Sequence, residues 1–178
     1  MTGSKKDLTD PSADKAVFMA HAHKLETEAA ERYAVLADQM EVHNNPELTA
    51  LFRKLERIEK IHAETIAERA DLDALSRLSP WDLQWPGFES PEAMDIGAVD
   101  YMMSAHRALS LALDGEKAAV RFFEALAQRA ETPEIRTMAE SFAEEEREHV
   151  RLMAEWLAKY PEADGEPAED PDPPVMQE

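Results

Sequence analysis

The chain has 178 residues, enough for one domain with a hydrophobic core. Its formal net charge of −19 argues against nucleic acid and against an anionic membrane as partners. It contains no cysteine, which excludes disulfides, thiolate catalysis and cysteine-bound metal clusters, and which fits a cytoplasmic protein. With no apolar run of about 18 residues and no basic-then-apolar leader, we expect neither a membrane span nor a secretory signal.

Four long helices are predicted between two polar ends. Residues 1–12 lack periodicity, which predicts a disordered N-terminus, and residues 161–178 are acidic and proline-rich, which predicts a disordered tail. Residues 13–160 are predicted to form one helical bundle. Its helices are expected at about Pro11 to His43, Pro46 to Leu78, Ala98 to Ala130 and Pro133 to Tyr160. Asn45-Pro46 and Thr132-Pro133 each resemble a helix cap followed by proline at the first helical position.

The segment from Ser79 to Gly97 interrupts the helical pattern with prolines and tryptophans. A helix of about 30 residues is about 45 Å long, a distance that about 13 extended residues can span. The segment has 19 residues (97 − 79 + 1), so helices 2 and 3 can run parallel across it. The sequence therefore predicts an all-α four-helix bundle of two antiparallel hairpins with one long crossover, anchored by Trp81 and Trp85.

Two Glu-x-x-His strings are the strongest chemical signal: Glu59 with His62, and Glu146 with His149. Three residues apart on a helix, both side chains of each pair lie on one face. One such string is weak evidence in a glutamate-rich chain. Two strings at equivalent places are more informative. Here the two glutamates are 87 residues apart (146 − 59), and so are the two histidines (149 − 62).

The halves of the chain repeat a helical hairpin. Pro46 and Pro133 share the separation of 87, while Glu26 and Glu116 are 90 residues apart in the preceding helices. The separation changes by three inside the turn, where insertions are tolerated. Each hairpin therefore supplies one further glutamate beside its Glu-x-x-His pair.

The candidate carboxylates lie on apolar helical stripes. In helix 4, Glu146 and His149 continue the stripe of Met138 and Phe142, and the other three helices show the same pattern. Folding each hairpin at its turn brings its three candidates to the same level. Burying these groups without partners is costly, so we expect them to pair or to bind metal.

Four carboxylates and two imidazoles are oxygen and nitrogen donors that suit iron or manganese, and four negative charges balance two divalent ions. A buried Glu–His hydrogen-bond network without metal, and a structural zinc site, remain as alternatives.

These motifs resemble the rubrerythrin group of the ferritin-like superfamily. The similar strings span residues 26–33, 52–63, 115–119 and 144–149, and the likeness runs from about residue 15 to 160. The resemblance implies a ferritin-like bundle with two irons. It assigns Glu26 and His62 to one iron, Glu116 and His149 to the other, and Glu59 and Glu146 as bridges. Two departures are the missing four-cysteine rubredoxin domain and Ala119, where rubrerythrins often carry an extra glutamate.

Three further residues were weighed as parts of this site. Tyr33, two turns after Glu26, is either a hydrogen-bonding or redox-active neighbour of a ligand or plain core packing. His23 is expected to be a partly exposed helix residue, and His106 a hydrogen-bonded histidine near the core.

We therefore expect a cytoplasmic non-haem di-iron protein that oxidises Fe(II) or reduces peroxide or O2. Such a protein would serve iron homeostasis and protection from oxidative stress. The resemblance implies a homodimer, and as an enzyme without a cysteine-bound iron domain the protein would take electrons from an external donor. Iron storage or delivery without turnover, and a metal-free interaction module, are the alternatives.

Overall fold

The computed structural model describes residues 10–70, 83, 85, 90 and 103–162. They contain four helices, which are α1 (Lys15–Val42), α2 (Pro46–Arg69), α3 (Ala105–Arg129) and α4 (Pro133–Leu157). α1 packs along α2, α3 packs along α4, and α1 also meets α3. The described ranges hold helices and no strand, which confirms the predicted all-α four-helix bundle. None of their helices has the length and apolarity that crossing a membrane requires.

Both predicted proline caps are confirmed. The side chain of Asn45 accepts a hydrogen bond from the amide of Leu48 at 3.1 Å, and the Thr132 hydroxyl accepts one from the amide of Ile135 at 3.2 Å. In the first turn, Asn44 adopts a left-handed backbone conformation (φ 54°). The next amide, of Asn45, then donates to the carbonyl of Met40 at 2.9 Å, closing the end of α1 with a Schellman-type bond.

α1 begins later than its predicted start at Pro11. The Asp14 carboxylate accepts from the amides of Ala16 and Val17 at 2.8 and 3.3 Å, which fixes the first turn at Lys15. Ser12 lies in the preceding turn, and its carbonyl accepts from the amide of Glu131 at 2.9 Å, which ties this turn to the α3–α4 turn. Of the N-terminus predicted to be disordered, residues 1–9 lie outside the described residues.

The other ends differ less. α4 ends at Leu157, three residues before its predicted end, and the Tyr160 hydroxyl donates to Glu47 of α2 at 2.9 Å. The predicted extensions of helices 2 and 3 over residues 71–78 and 98–102, most of the crossover, and tail residues 163–178 lie outside the described residues. Trp81 lies outside them as well. Trp85 is described, and its ring packs 5.2 Å from that of Phe122, as expected for an anchor of the crossover.

Two apolar clusters fill the bundle, one toward each end. The turn cluster, near the α1–α2 turn, includes Leu36, Met40, Phe52, Leu55 and Leu109, and the far cluster includes Phe18, Leu25, Ile66, Phe123 and Ile135. Each fully buried Leu or Phe contributes about 1.5–3 kcal/mol. α1 and α4 run from the far cluster to the turn cluster, whereas α2 and α3 run in the opposite direction. α2 and α3 are therefore parallel, as predicted, and the middle of every helix lies between the clusters.

Candidate metal centre

All six predicted ligand residues meet in the layer between the two clusters. The carboxylates are almost fully buried, with exposed fractions of 1–6%. They are Glu26 on α1, Glu59 on α2, Glu116 on α3 and Glu146 on α4. The imidazoles are less buried, with 31% of the His62 side chain and 13% of the His149 side chain exposed. The matched depth that the turn positions predicted is confirmed by this arrangement.

One group of donors forms around His62. Its Nδ1 lies 3.5 Å from Oε2 of Glu26 and 3.3 Å from Oε2 of Glu59. The potential ligand atoms of these three residues all lie within 4.8 Å of one another. We call this group position A.

A second group forms around His149. Its Nδ1 lies 3.2 Å from Oε1 of Glu59, 3.4 Å from Oε2 of Glu116 and 3.4 Å from Oε2 of Glu146. Glu59, Glu116 and His149 again hold their potential ligand atoms within 4.8 Å of one another. We call this group position B, and its imidazole stacks on that of His62 with ring centroids 6.1 Å apart.

Glu59 belongs to both positions. Its Oε2 is directed toward His62 and its Oε1 toward His149, so one carboxylate spans the two groups. Glu146 approaches position B through His149, and its electrostatic interactions include both Glu26 and Glu116. Of the two carboxylates expected to bridge, Glu59 therefore belongs to both groups and Glu146 lies beside position B.

The donor geometry fits metal ions better than a hydrogen-bonded network. Among the described residues, both Glu59 oxygens and Nδ1 of His149 are buried without a well-aligned hydrogen bond, although Oε1 of Glu59 lies only 3.2 Å from that Nδ1. Leaving a buried polar atom unsatisfied costs about 1–3 kcal/mol. Cations placed between these atoms would satisfy them, and the carboxylate and imidazole donors suit iron or manganese.

Without metal, the two imidazoles act as the cations of the layer. The nearby carboxylates of Glu26 and Glu59 raise the pKa of His62 to about 10. Burial lowers the pKa of His149, but Glu116 and Glu146 outweigh it and raise that pKa to about 11. Both side chains are therefore imidazolium at neutral pH.

The pKa values of the carboxylates shift in different directions. Burial raises the pKa of Glu26 to about 8, against the opposing effect of His62, and burial also raises the pKa of Glu146. Burial acts on Glu116 in the same direction, but His149 and Arg32 outweigh it and hold its pKa at about 2. Glu116 is therefore the carboxylate that stays ionised most firmly.

Arg32 is the residue of the site that the sequence did not reveal. Its side chain is 4% exposed, and its Nη2 donates to Oε1 of Glu116 at 2.6 Å. The Tyr33 hydroxyl donates to the same oxygen, which confirms Tyr33 as a hydrogen-bonding neighbour of a candidate ligand. Arg32 lies beside the apolar stripe of α1, so periodicity gives no reason to expect its burial. Its one sequence signal was its position next to Tyr33.

The remaining histidines stand apart from both positions. His106 Nδ1 lies 2.8 Å from the carbonyl oxygen of Tyr160, which confirms a hydrogen-bonded histidine near the core. His23 is partly exposed, as expected. His21 is completely buried against Trp85, with ring centroids 4.8 Å apart, a placement that its sequence context did not indicate.

A groove reaches position A from the surface. It has a volume of about 410 Å³ and lies between α1, α2 and α4, with His62 in its wall. Its apolar lining comes from Met19, Ile66, Met138 and Phe142. We call it the His62 groove. It explains why the imidazole of position A is the more exposed of the two.

The fold and the donor set define a ferritin-like bundle with a carboxylate-rich centre. The rubrerythrin family model matches residues 107–174. An uncharacterised conserved protein from Magnetospirillum magnetotacticum MS-1, known from its crystal structure, is 35% identical to the chain with a TM-score of 0.71. That match covers 86% of this chain and 99% of the other. No curated protein matches the chain significantly. The chain belongs to the rubrerythrin family of the ferritin-like superfamily, whose members typically bind iron.

Proposed function

We propose that this chain is a non-haem di-iron protein that oxidises Fe(II) or reduces peroxide or O2. The observation that carries the proposal is the convergence of three buried glutamates and two histidines into two adjoining donor groups that share Glu59, with a fourth buried glutamate, Glu146, 3.4 Å from Nδ1 of His149. Such a protein would take part in iron homeostasis and in protection from oxidative stress.

In this proposal Glu26 and His62 would hold one iron, Glu116 and His149 would hold the other, and Glu59 and Glu146 would be shared between them. A bound pair of irons would supply two electrons to one oxidant molecule, which would avoid release of one-electron products.

The chain's own residues set the surroundings of this chemistry. The two apolar clusters exclude water above and below the carboxylate layer, and a low-dielectric site strengthens every charge interaction inside it. The His62 groove gives a small oxidant access to position A. The Tyr33 hydroxyl and the Arg32 guanidinium hold Oε1 of Glu116, which leaves its Oε2 facing His149.

Anaerobic loading with Fe(II) tests the proposal. We expect about two irons per chain, and a Mössbauer spectrum that changes from ferrous to coupled ferric iron on addition of peroxide or O2. Glu59→Gln removes the shared charge and should reduce the iron content, whereas Glu56→Gln, one turn earlier and paired with Lys60, should not. Less than one iron per wild-type chain would refute the proposal.

Turnover would require an external electron donor, because the sequence offers no cysteine-bound iron centre. Steady-state reduction of peroxide by the iron-loaded protein should therefore depend on an added redox protein or chemical reductant. A single oxidation of the iron already bound should proceed without the added reductant.

Iron storage or delivery is the second candidate, and the net charge of −19 favours it because an acidic surface attracts cations. Storage needs a large shell or a cage partner, whereas we propose a homodimer for the catalytic protein. Sedimentation equilibrium separates the two, since a dimer without mineral excludes storage by this chain alone.

A metal-free interaction module makes a different prediction. Glu59→Ala combined with Glu146→Ala would then leave stability unchanged or raise it, because two buried acids would be removed. If metal supports the fold, the same variant should lower the melting temperature of the metal-loaded protein markedly.

A further inference from the structure

The two metal positions have different charged surroundings. Glu26 of position A and Glu116 of position B are equivalent in the hairpin repeat, 90 residues apart. Only the second carries the guanidinium of Arg32 on one oxygen, at 2.6 Å. Position B therefore carries a permanent positive charge beside one of its carboxylates, which position A lacks among the described residues.

The repeat shows that this difference is built into the sequence. The counterparts of Arg32 and Tyr33 at the same separation of 90 are Phe122 and Phe123. Both phenylalanines are buried, with exposed fractions of 4% and 0%, and they pack in the far cluster. They bring neither charge nor hydroxyl to the other half of the layer, so the guanidinium and phenol serve Glu116 from one hairpin only.

Position A is also more accessible to solvent than position B. His62 of position A lies in the wall of the His62 groove and is 31% exposed, whereas His149 of position B is 13% exposed. A cation arriving from solvent therefore reaches first the position that lacks the guanidinium contact.

We propose that Arg32 makes the metal pair unequal, so that position A fills first and tightly while position B fills second and more weakly. This inference rests on the proposed two-metal function. Arg32 acts as a positioning residue through Glu116, since its permanent charge opposes a second divalent ion and its hydrogen bond leaves only Oε2 for ligation. Tyr33 contributes to the orientation of Glu116 but not to the charge difference.

Stepwise titration of the metal-free full chain with Mn(II) tests the inference. For the wild type we expect two dissociation constants separated by at least tenfold, and at one equivalent the electron paramagnetic resonance signal of isolated Mn(II) without the coupled pair. Arg32→Met keeps the aliphatic length but removes the charge, so the second dissociation constant should fall at least tenfold and the coupled signal should appear earlier.

Two control variants separate charge from structure. Arg32→Lys keeps the charge and should retain the wild-type separation of the two constants, and Tyr33→Phe should retain it too. A general loosening of the fold would change all three variants alike. If Arg32→Met does not fold, anomalous diffraction from wild-type crystals with one equivalent of Mn(II) gives the same answer, with occupancy expected beside Glu26 and His62.

The outcomes separate the two proposals. Two metals bound with equal constants, unchanged by Arg32→Met, or half-loaded metal found beside His149, would overturn the inference and leave the two-metal function standing. Binding of fewer than two metals under every loading condition would overturn both.

Discussion

Metal loading should release protons, because both imidazoles are imidazolium in the metal-free protein. The pKa of His62 is about 10 and that of His149 about 11, so at pH 7 each holds a proton that a metal must displace. Displacing these protons at pH 7 therefore opposes metal binding. Because the pKa values of Glu26 and Glu146 are also raised, these two carboxyl groups can release as many as two further protons.

We therefore expect release of two to four protons when both positions fill at pH 7. Each metal then loses affinity as pH falls, by about tenfold per pH unit for each proton that it displaces. Isothermal titration with Mn(II) or Zn(II) in buffers of different ionisation enthalpy counts the protons directly. The slope of the logarithm of affinity against pH gives the same number independently.

A histidine outside the layer provides the control. His106→Gln removes a histidine that is bonded to the Tyr160 carbonyl, and it should leave the proton count unchanged. His62→Gln should reduce the count by one and weaken position A. Release of fewer than one proton for two bound metals would show that the imidazoles are already neutral, which would refute the reasoning.

Three further predictions concern stability. The metal-free protein should lose stability as pH rises from about 5 to 10, measured by denaturant unfolding with chelator. The unfolded state gives up the His62 proton above about 6.5 and the Glu26 proton above about 4.5, whereas the folded state keeps them until about 10 and about 8. Asn45→Ala should cost about 1 kcal/mol through loss of the α2 cap, with the unfolding slope unchanged. Phe52→Ala, which removes a fully buried ring 6.0 Å from that of Tyr33, should cost about 3–5 kcal/mol by the same measurement, and a cost below 1 kcal/mol would contradict the packing described.

The apolar periodicity and the helix-capping residues were enough to predict the bundle and the layer of candidate ligands. The proline caps marked two helix starts, and the apolar stripes placed Glu59 and Glu146 in the interior, because a helix buries one face. The start of α1 was missed since Pro11 fits a first turn, while the actual cap, Asp14, depends on local hydrogen bonding. Arg32 was missed for another reason. Its burial arises from pairing with a residue on a different helix, and pairing across helices leaves no period in the sequence.

The carboxylate layer also bears on how the molecule assembles. α1 with α2, and α3 with α4, are joined by short turns, so each hairpin forms mainly sequence-local contacts that close quickly. Position B takes Glu59 from the first hairpin together with Glu116 and His149 from the second, and Arg32 crosses the same boundary. A cation in this layer would therefore cross-link the α1–α2 hairpin to the α3–α4 hairpin. Removing it would weaken their docking before it unwound any helix.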